Sequence, residues 1–310
     1  MTTQYYFFLL VNGLCQGMLL FIIASGISLV FGVLRVINFA HGSLYMIGAF
    51  IAYSLSTLLT GGSFAHFLLL LLLAPPAIAI LGFLLEVTLF RRVYGEEHLL
   101  QLLLTYALVL ILDDFVRLIW GGEPRSVTRP EILAGSVDFL GLALPSYNVF
   151  ILIIGPLVAI GLWVLLYRYR AGNLIRAAVT YPDTLGALGV NVSWVMTSTF
   201  MLGCWLAGLG GVLVSAMANI DLGIGMEKII ECFAVVVIGG LGSIGGALLG
   251  SLIIGVGITY FPVLCESVSL LLFGTTFGIP FVRWALVFPY AVMAIVLIVR
   301  PWGLFGKPER

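Results

Sequence analysis

Charge is what this sequence lacks most. Asp, Glu, Lys and Arg make up 9% of its 310 residues, against roughly a quarter in soluble domains. Three stretches, Val36–Leu85, Thr184–Ile220 and Cys232–Cys265, carry no such residue at all. Each is longer than the ~20 residues a helix needs to cross a hydrocarbon layer, which excludes a soluble globular chain. Acidic and basic residues cancel to a net charge of zero, which argues against a nucleic-acid partner. Cysteine is sparse as well. Cys15, Cys204, Cys232 and Cys265 are widely spaced inside or beside apolar runs; they match no metal or redox spacing and read as small buried side chains. The signatures of catalysis are missing too. There is no phosphate loop, since the Gly306-Lys307 pair runs into Pro308, and there is no H-E-x-x-H zinc helix or G-x-S-x-G elbow. Ser243 with His41 would be the remaining hydrolase pairing, but a serine in a glycine-rich turn is ordinary. No catalytic residue and no metal ligand is therefore assigned. Met1–Phe8 lacks a basic n-region and no cleavage site follows, so no signal peptide is expected.

What is present is apolar length: 62% of residues are hydrophobic and the mean hydropathy is +1.19. The expected fold is all-α, a polytopic transmembrane helix bundle of eight or nine spans forming one domain over residues 1–310. Spans are predicted at about 7–32, 42–60, 65–90, 98–120, 147–167, 194–217, 228–248, 250–273 and 284–300. The stretch Gly121–Ser146 is the longest expected loop. Basic residues set the orientation. Arg35, Arg91, Arg92, Arg168, Arg170, Arg176, Arg300, Lys307 and Arg310 fall on one side of an alternating bundle. Arg117, Arg125, Arg129, Lys228 and Arg283 fall on the other. This places the amino terminus outside and the carboxyl terminus in the cytosol.

Two places interrupt the helical pattern. In Arg35–Ser43 the polar Asn38, His41 and Ser43 break an apolar passage, and Gly239–Gly246 holds five glycines and a serine in eight residues. Broken or re-entrant segments at matching positions in two halves point to an internal repeat with a path at its interface. Gly242, Gly246 and Gly250, like Gly13 and Gly17, also suit plain helix-packing seams. Other intramembrane charges read as local pairs: Asp113 and Asp114 with Arg117, and Glu86 with Arg91.

The loop 168–193 between two spans looks built to be pushed on. Thr180 is placed to cap a short helix, Pro182 and Asp183 suit its first turn, and Gly189 closes it. Tyr181, Leu185 and Leu188 share one face. That face has three uses open to it: lying in the lipid interface, packing on its own bundle, or fitting a groove on a soluble partner.

Phe31-Gly32-Val33-Leu34-Arg35-Val36-Ile37-Asn38-Phe39-Ala40-His41-Gly42 resembles the signature of permease subunits of branched-chain amino-acid ABC importers, the LivH-like family. Gly239–Ile244 with Gly246, Arg176–Asn191, and the closing Arg300–Gly306 resemble the family's later blocks in the same order. Thr184, Leu185 and Gly186 depart from the helix-favouring residues expected there, and Gly245 stands where a proline is common. The resemblance implies a pore-forming importer subunit for branched-chain or related amino acids, or a similar small polar solute, in a bacterial inner membrane. It implies Asn38, Phe39, His41, Gly42, Gly242 and Ser243 as translocation path or gate. It implies Arg176, Tyr181, Asp183, Leu185, Ala187, Leu188 and Gly189 as the segment that docks an ATPase. The partners implied are a second related permease, two cytoplasmic ATPases holding the ATP and magnesium, and an external solute-binding protein. This chain itself is expected to bind no cofactor. The competing reading is a self-sufficient carrier or channel for a small polar solute, with Asn38 and His41 in its path.

Overall fold

A backbone without water to bond must bond to itself, and this chain does so almost entirely as helices. The computed structural model describes residues 3–59, 63–139, 141–273 and 287–306. Arg283, Lys307, Arg310 and residues 284–286 of the last expected span lie outside them. In chain order the elements begin with α1 (Thr3–Leu34), α2 (Ala40–Leu58), α3 (Phe64–Thr88), a 3-10 turn at Phe90–Arg92, α4 (His98–Trp120) and α5 (Glu131–Ala134). There follow a hairpin of β1 (Ser136–Phe139) and β2 (Leu142–Pro145), then α6 (Ser146–Tyr167), α7 (Arg170–Thr180) and α8 (Pro182–Ala187). The chain continues with α9 (Val192–Ser215), α10 (Ile224–Gly239), α11 (Ile244–Phe273) and α12 (Phe288–Val299).

Among the described residues, six helical runs are long and apolar enough to cross a membrane: Gln4–Leu34, Phe64–Arg92, His98–Trp120, Ser146–Tyr167, Val192–Ser215 and Ile244–Val268. The helices α2, α10 and α12 join the bundle with 19, 16 and 12 residues. At 1.5 Å per residue α10 is about 24 Å long, short of the ~30 Å hydrocarbon core. The expected span at 228–248 is corrected accordingly, since it runs across the end of α10 into α11, while 250–273 lies within α11. Gly240 and Gly242 adopt φ of 99° and 81°, a left-handed backbone that ends α10 and sets α11 off in a new direction.

The helix α9 is central and packs on α1, α2 and α3. Small residues permit the approach; a β-carbon on Gly48 of α2 would stand 2.8 Å from the Gly208 α-carbon. Along α1 the seam against α11 is equally tight, with a β-carbon on Gly17 placed 2.9 Å from the Ser251 carbonyl.

Two local expectations change. The Gly121–Ser146 stretch holds α5 and an antiparallel hairpin with Phe139 opposite Leu142. Before them the chain is strapped to the α9–α10 connection. Arg125 N–H donates to the Ile220 carbonyl at 2.9 Å, Ile220 N–H returns the bond at 2.7 Å, and Arg129 Nε donates to the Ala216 carbonyl at 2.6 Å. The expected pairing of Asp113 and Asp114 with Arg117 is replaced, because Asp113 Oδ1 accepts from Ser43 Oγ at 2.9 Å across to α2. Among the described residues the ion pairs are Arg91 with Glu86 at 3.3 Å and Lys228 with Glu231 at 2.8 Å.

Candidate translocation path and coupling surface

The first break begins at Arg35, whose φ of 53° cannot continue a right-handed helix. Arg35 N–H makes the last helical bond, to the Phe31 carbonyl at 3.0 Å, and the chain then runs outside any helix to Asn38 before α2 begins. It climbs back into the bundle as it does so. His41 Nε2 lies 3.1 Å from the Ile23 carbonyl, and Ile23 stands about 16 Å up α1 from its end at Leu34. Asn38 and His41 are 2% and 1% exposed, and the whole Asn38 amide and His41 Nδ1 have no protein partner among the described residues. The hydroxyls of Tyr45 and Ser28 are in the same position. A buried polar atom left unpaired costs about 1–3 kcal/mol, so this is a concentrated polar exception in an apolar bundle. Tyr45 and Ser28 escaped the sequence reading; Tyr45 sits one turn beyond His41 on the same face of α2, which was its available signal. Phe39 is half-buried, its ring 4.9 Å from that of Phe233. Gly42 is pressed against the Gly225 carbonyl at the start of α10.

The second break is held from three sides. Ser243 Oγ accepts the Gly246 N–H at 3.0 Å, so the serine is the N-cap of α11. Gly242 lies against Gly32 in the last turn of α1. The carboxyl-terminal segment closes the end of α10: Leu304 and Phe305 donate their N–H groups to the Ile238 and Gly239 carbonyls at 2.9 and 3.0 Å, satisfying acceptors a helix end leaves open. A cleft of about 270 Å³ borders this break, with Ser28, Gly32, Arg176, Thr180, Gly242 and Ser243 among its walls. Gly242 and Ser243 thus share a cavity with Arg176, while Asn38, Phe39, His41 and Gly42 do not line it.

The loop 168–193 is two helices where one was expected. The first, α7, buries Gly172, Ile175 and Ala178 and packs on α1, α6 and α9. Arg176 donates to the Leu166 carbonyl and to Asn173 Oδ1, and its guanidinium lies 5.1 Å over the Tyr167 ring. The chain breaks at Tyr181, with φ −139° and ψ 61°, and Pro182 opens α8. Thr180 is not the cap. Its hydroxyl donates back to the Arg176 carbonyl at 3.1 Å, which places it at the end of α7. Gly189 at φ 83° ends α8, with its N–H on the Gly186 carbonyl and the Val190 N–H on the Leu185 carbonyl, the paired bonds of a Schellman motif. The apolar stripe splits. Leu185 is 7% exposed, whereas Tyr181 and Leu188 are 66% and 75% exposed. Asp183, Ala187 and Gly189 are exposed with them.

Next to this segment lies a polar network only half visible in the sequence. The Glu86 carboxylate, 0% exposed, accepts from Thr197 Oγ1 at 2.8 Å, Tyr94 OH at 3.1 Å and Arg91 Nη2 at 3.3 Å. Burial first, and the Glu86 charge second, push the Tyr94 phenol well above its ordinary range, so it keeps its proton and donates. The Glu86–Arg91 pair was legible from spacing; Thr197, 111 residues away, was not.

A helical multi-pass bundle with irregular backbone buried at depth is the architecture of a membrane permease. The chain belongs to the family described as branched-chain amino acid transport system / permease component, which it matches over residues 9–297. It is 31% identical to the high-affinity branched-chain amino acid transport system permease protein BraD of Pseudomonas aeruginosa, over 97% of this chain and 95% of that protein. It is 28% identical to the corresponding LivH protein of Escherichia coli K12, over 100% and 99%. A shorter match, 32% identity over 38% of this chain and 34% of the relative, is to the fructose import permease protein FrcC of Rhizobium meliloti. No solved structure matches the chain.

Proposed function

We propose that this chain is one of two pore-forming subunits of an ATP-driven importer for branched-chain or related amino acids in a bacterial cell membrane. The amino terminus lies outside and the carboxyl terminus in the cytosol. A related second permease completes the passage, two cytoplasmic ATPases bind ATP and magnesium, and an external binding protein delivers the solute. Full-length likeness to BraD and LivH supports the solute class. The observation that carries the mechanism is the pair of exposed apolar residues flanking α8, Tyr181 and Leu188, held on the arginine-rich side by α7. An exposed face anchored at its back has the form of a docking element.

In this reading Arg176, Tyr181, Asp183, Leu185, Ala187, Leu188 and Gly189 receive the ATPase, with Leu185 and Arg176 fixing the segment to the bundle. Closure of the ATPases displaces α8, and α7 and α9 carry the displacement to the breaks. Asn38, Phe39, His41, Gly42, Gly242 and Ser243 line or gate the path. The unpaired amide of Asn38 and the free Nδ1 of His41 offer a passing solute hydrogen bonds without a fixed charge, which favours release over retention.

The test is reconstitution. Uptake that needs ATP, the ATPases and a loaded binding protein supports this reading, and mass spectrometry of the ligand on the co-purified binding protein reads the solute. Uptake by the lone chain overturns it in favour of a self-sufficient carrier.

A further inference from the structure

We propose that Glu86 and Thr197 form a latch that makes the cytosolic end of α3 and the first turns of α9 move as one body when the coupling segment is displaced. Glu86 is thus a positioning residue for transport. The proposal rests on the importer reading above.

The latch joins elements far apart in sequence. Helix α9 begins at Val192, directly after the Gly189 turn that ends α8, and Thr197 lies in its second turn, 0% exposed. Thr197 Oγ1 accepts from Arg91 Nη2 at 2.7 Å and donates to Glu86 Oε2 at 2.8 Å. Tyr94 OH holds the other carboxylate oxygen. The turn carrying Tyr94 is fixed to α4 in its own right, because Gln101 Nε2 donates to the Val93 and Glu96 carbonyls, both at 3.1 Å. A push on α8 therefore reaches α9, and through Thr197 and Glu86 reaches α3 and the start of α4.

Packing holds α3 on α9 along its length, with Gly208 against Pro75 and Ile78, but adds no directional bond at the end nearest the coupling segment. A buried carboxylate costs desolvation that an apolar pair does not, and its bonds fail abruptly once the donors leave hydrogen-bonding distance. Such a contact fixes register, and it sits at the point where the moving segment enters the bundle. It is also separate from the path, since none of its members lines the cleft at the second break.

The experiment uses the reconstituted complex with its ATPases and loaded binding protein. Spin labels go on Val87→Cys in α3 and Ser193→Cys in α9, both exposed positions, with Cys265→Ser removing the one native cysteine that is not buried. The latch requires the interlabel distance to be the same in the nucleotide-free and ATP-trapped states, and to become broad with Glu86→Gln or Thr197→Val. Solute moved per ATP hydrolysed should fall about tenfold in those two variants, a normal size for a coupling effect, and stay at the unsubstituted level in Thr197→Ser. A distance that changes between states in the protein with its latch intact overturns the proposal, and that arm is independent of whether the variants fold. An unchanged transport-to-hydrolysis ratio in assembled Glu86→Gln and Thr197→Val complexes also overturns it. Failure of the importer reading looks different: the unsubstituted complex shows no ATP-dependent uptake, and the latch's role falls with it.

Discussion

Gly32 and Gly242 touch: a β-carbon added to Gly32 would stand 3.0 Å from the Gly242 α-carbon. The last turn of α1, just before the first irregular segment, therefore meets the second irregular segment although the two lie about 200 residues apart. Gly242→Ala adds a left-handed conformational cost of about 1–2 kcal/mol to this crowding. The melting temperature of the purified protein should fall clearly for Gly242→Ala. It should stay level for Gly245→Ala, where an added β-carbon meets nothing within 4 Å.

Leu185 and Leu188 separate stability from docking. Leu185→Ala empties a buried site and should cost about 2–5 kcal/mol, read as a lower melting temperature with or without partners. Leu188→Ala changes an exposed position and should stay within ~0.5 kcal/mol in the isolated chain. Leu188→Asp should abolish co-purification of the ATPases while leaving membrane insertion normal.

Among the described residues the His41 ring is tied to the bundle by one hydrogen bond, to the Ile23 carbonyl. His41→Leu removes that bond, at a cost of about 0.5–1.5 kcal/mol since the Ile23 carbonyl keeps its helical partner within α1, and should lower melting temperature slightly and uptake clearly. Tyr45→Phe removes a hydroxyl with no protein partner among the described residues. Its melting temperature should be unchanged or raised, so a drop in uptake measured alongside it reports on the path alone.

The carboxyl-terminal segment is a structural seal. Phe305→Pro deletes the N–H that bonds the Gly239 carbonyl and should destabilise by about 1–3 kcal/mol. Hydrogen exchange should then rise at the end of α10 and leave α4 unaffected.

Most of the bundle could be read from the residues, because hydrophobic length and the absence of charge determine spans before any packing is known. α4 falls at His98–Trp120, where 98–120 was expected. The errors have physical causes. The boundary near 248–250 was misplaced because glycine signals packing and helix termination alike; only the left-handed backbone at Gly240 and Gly242 tells them apart. Thr180 was misread as a cap because a threonine before a proline suits the end of one helix as well as the start of the next. Asp113 was assigned to Arg117 on helical spacing, yet its partner is Ser43 on α2, a choice that only tertiary packing makes. Asn38 and His41 stood out as polar residues among apolar ones, whereas Tyr45 and Thr197 are common in ordinary helices and carry no such mark.

The strap of Arg125 and Arg129 across the α9–α10 connection leaves that end of the bundle little slack. On the importer reading proposed above, movement falls to the opposite end, near Tyr181 and Gly189. On that reading the bundle is a lever clamped at one end, and a small shove on the free end is spent in the breaks between α1 and α2 and between α10 and α11.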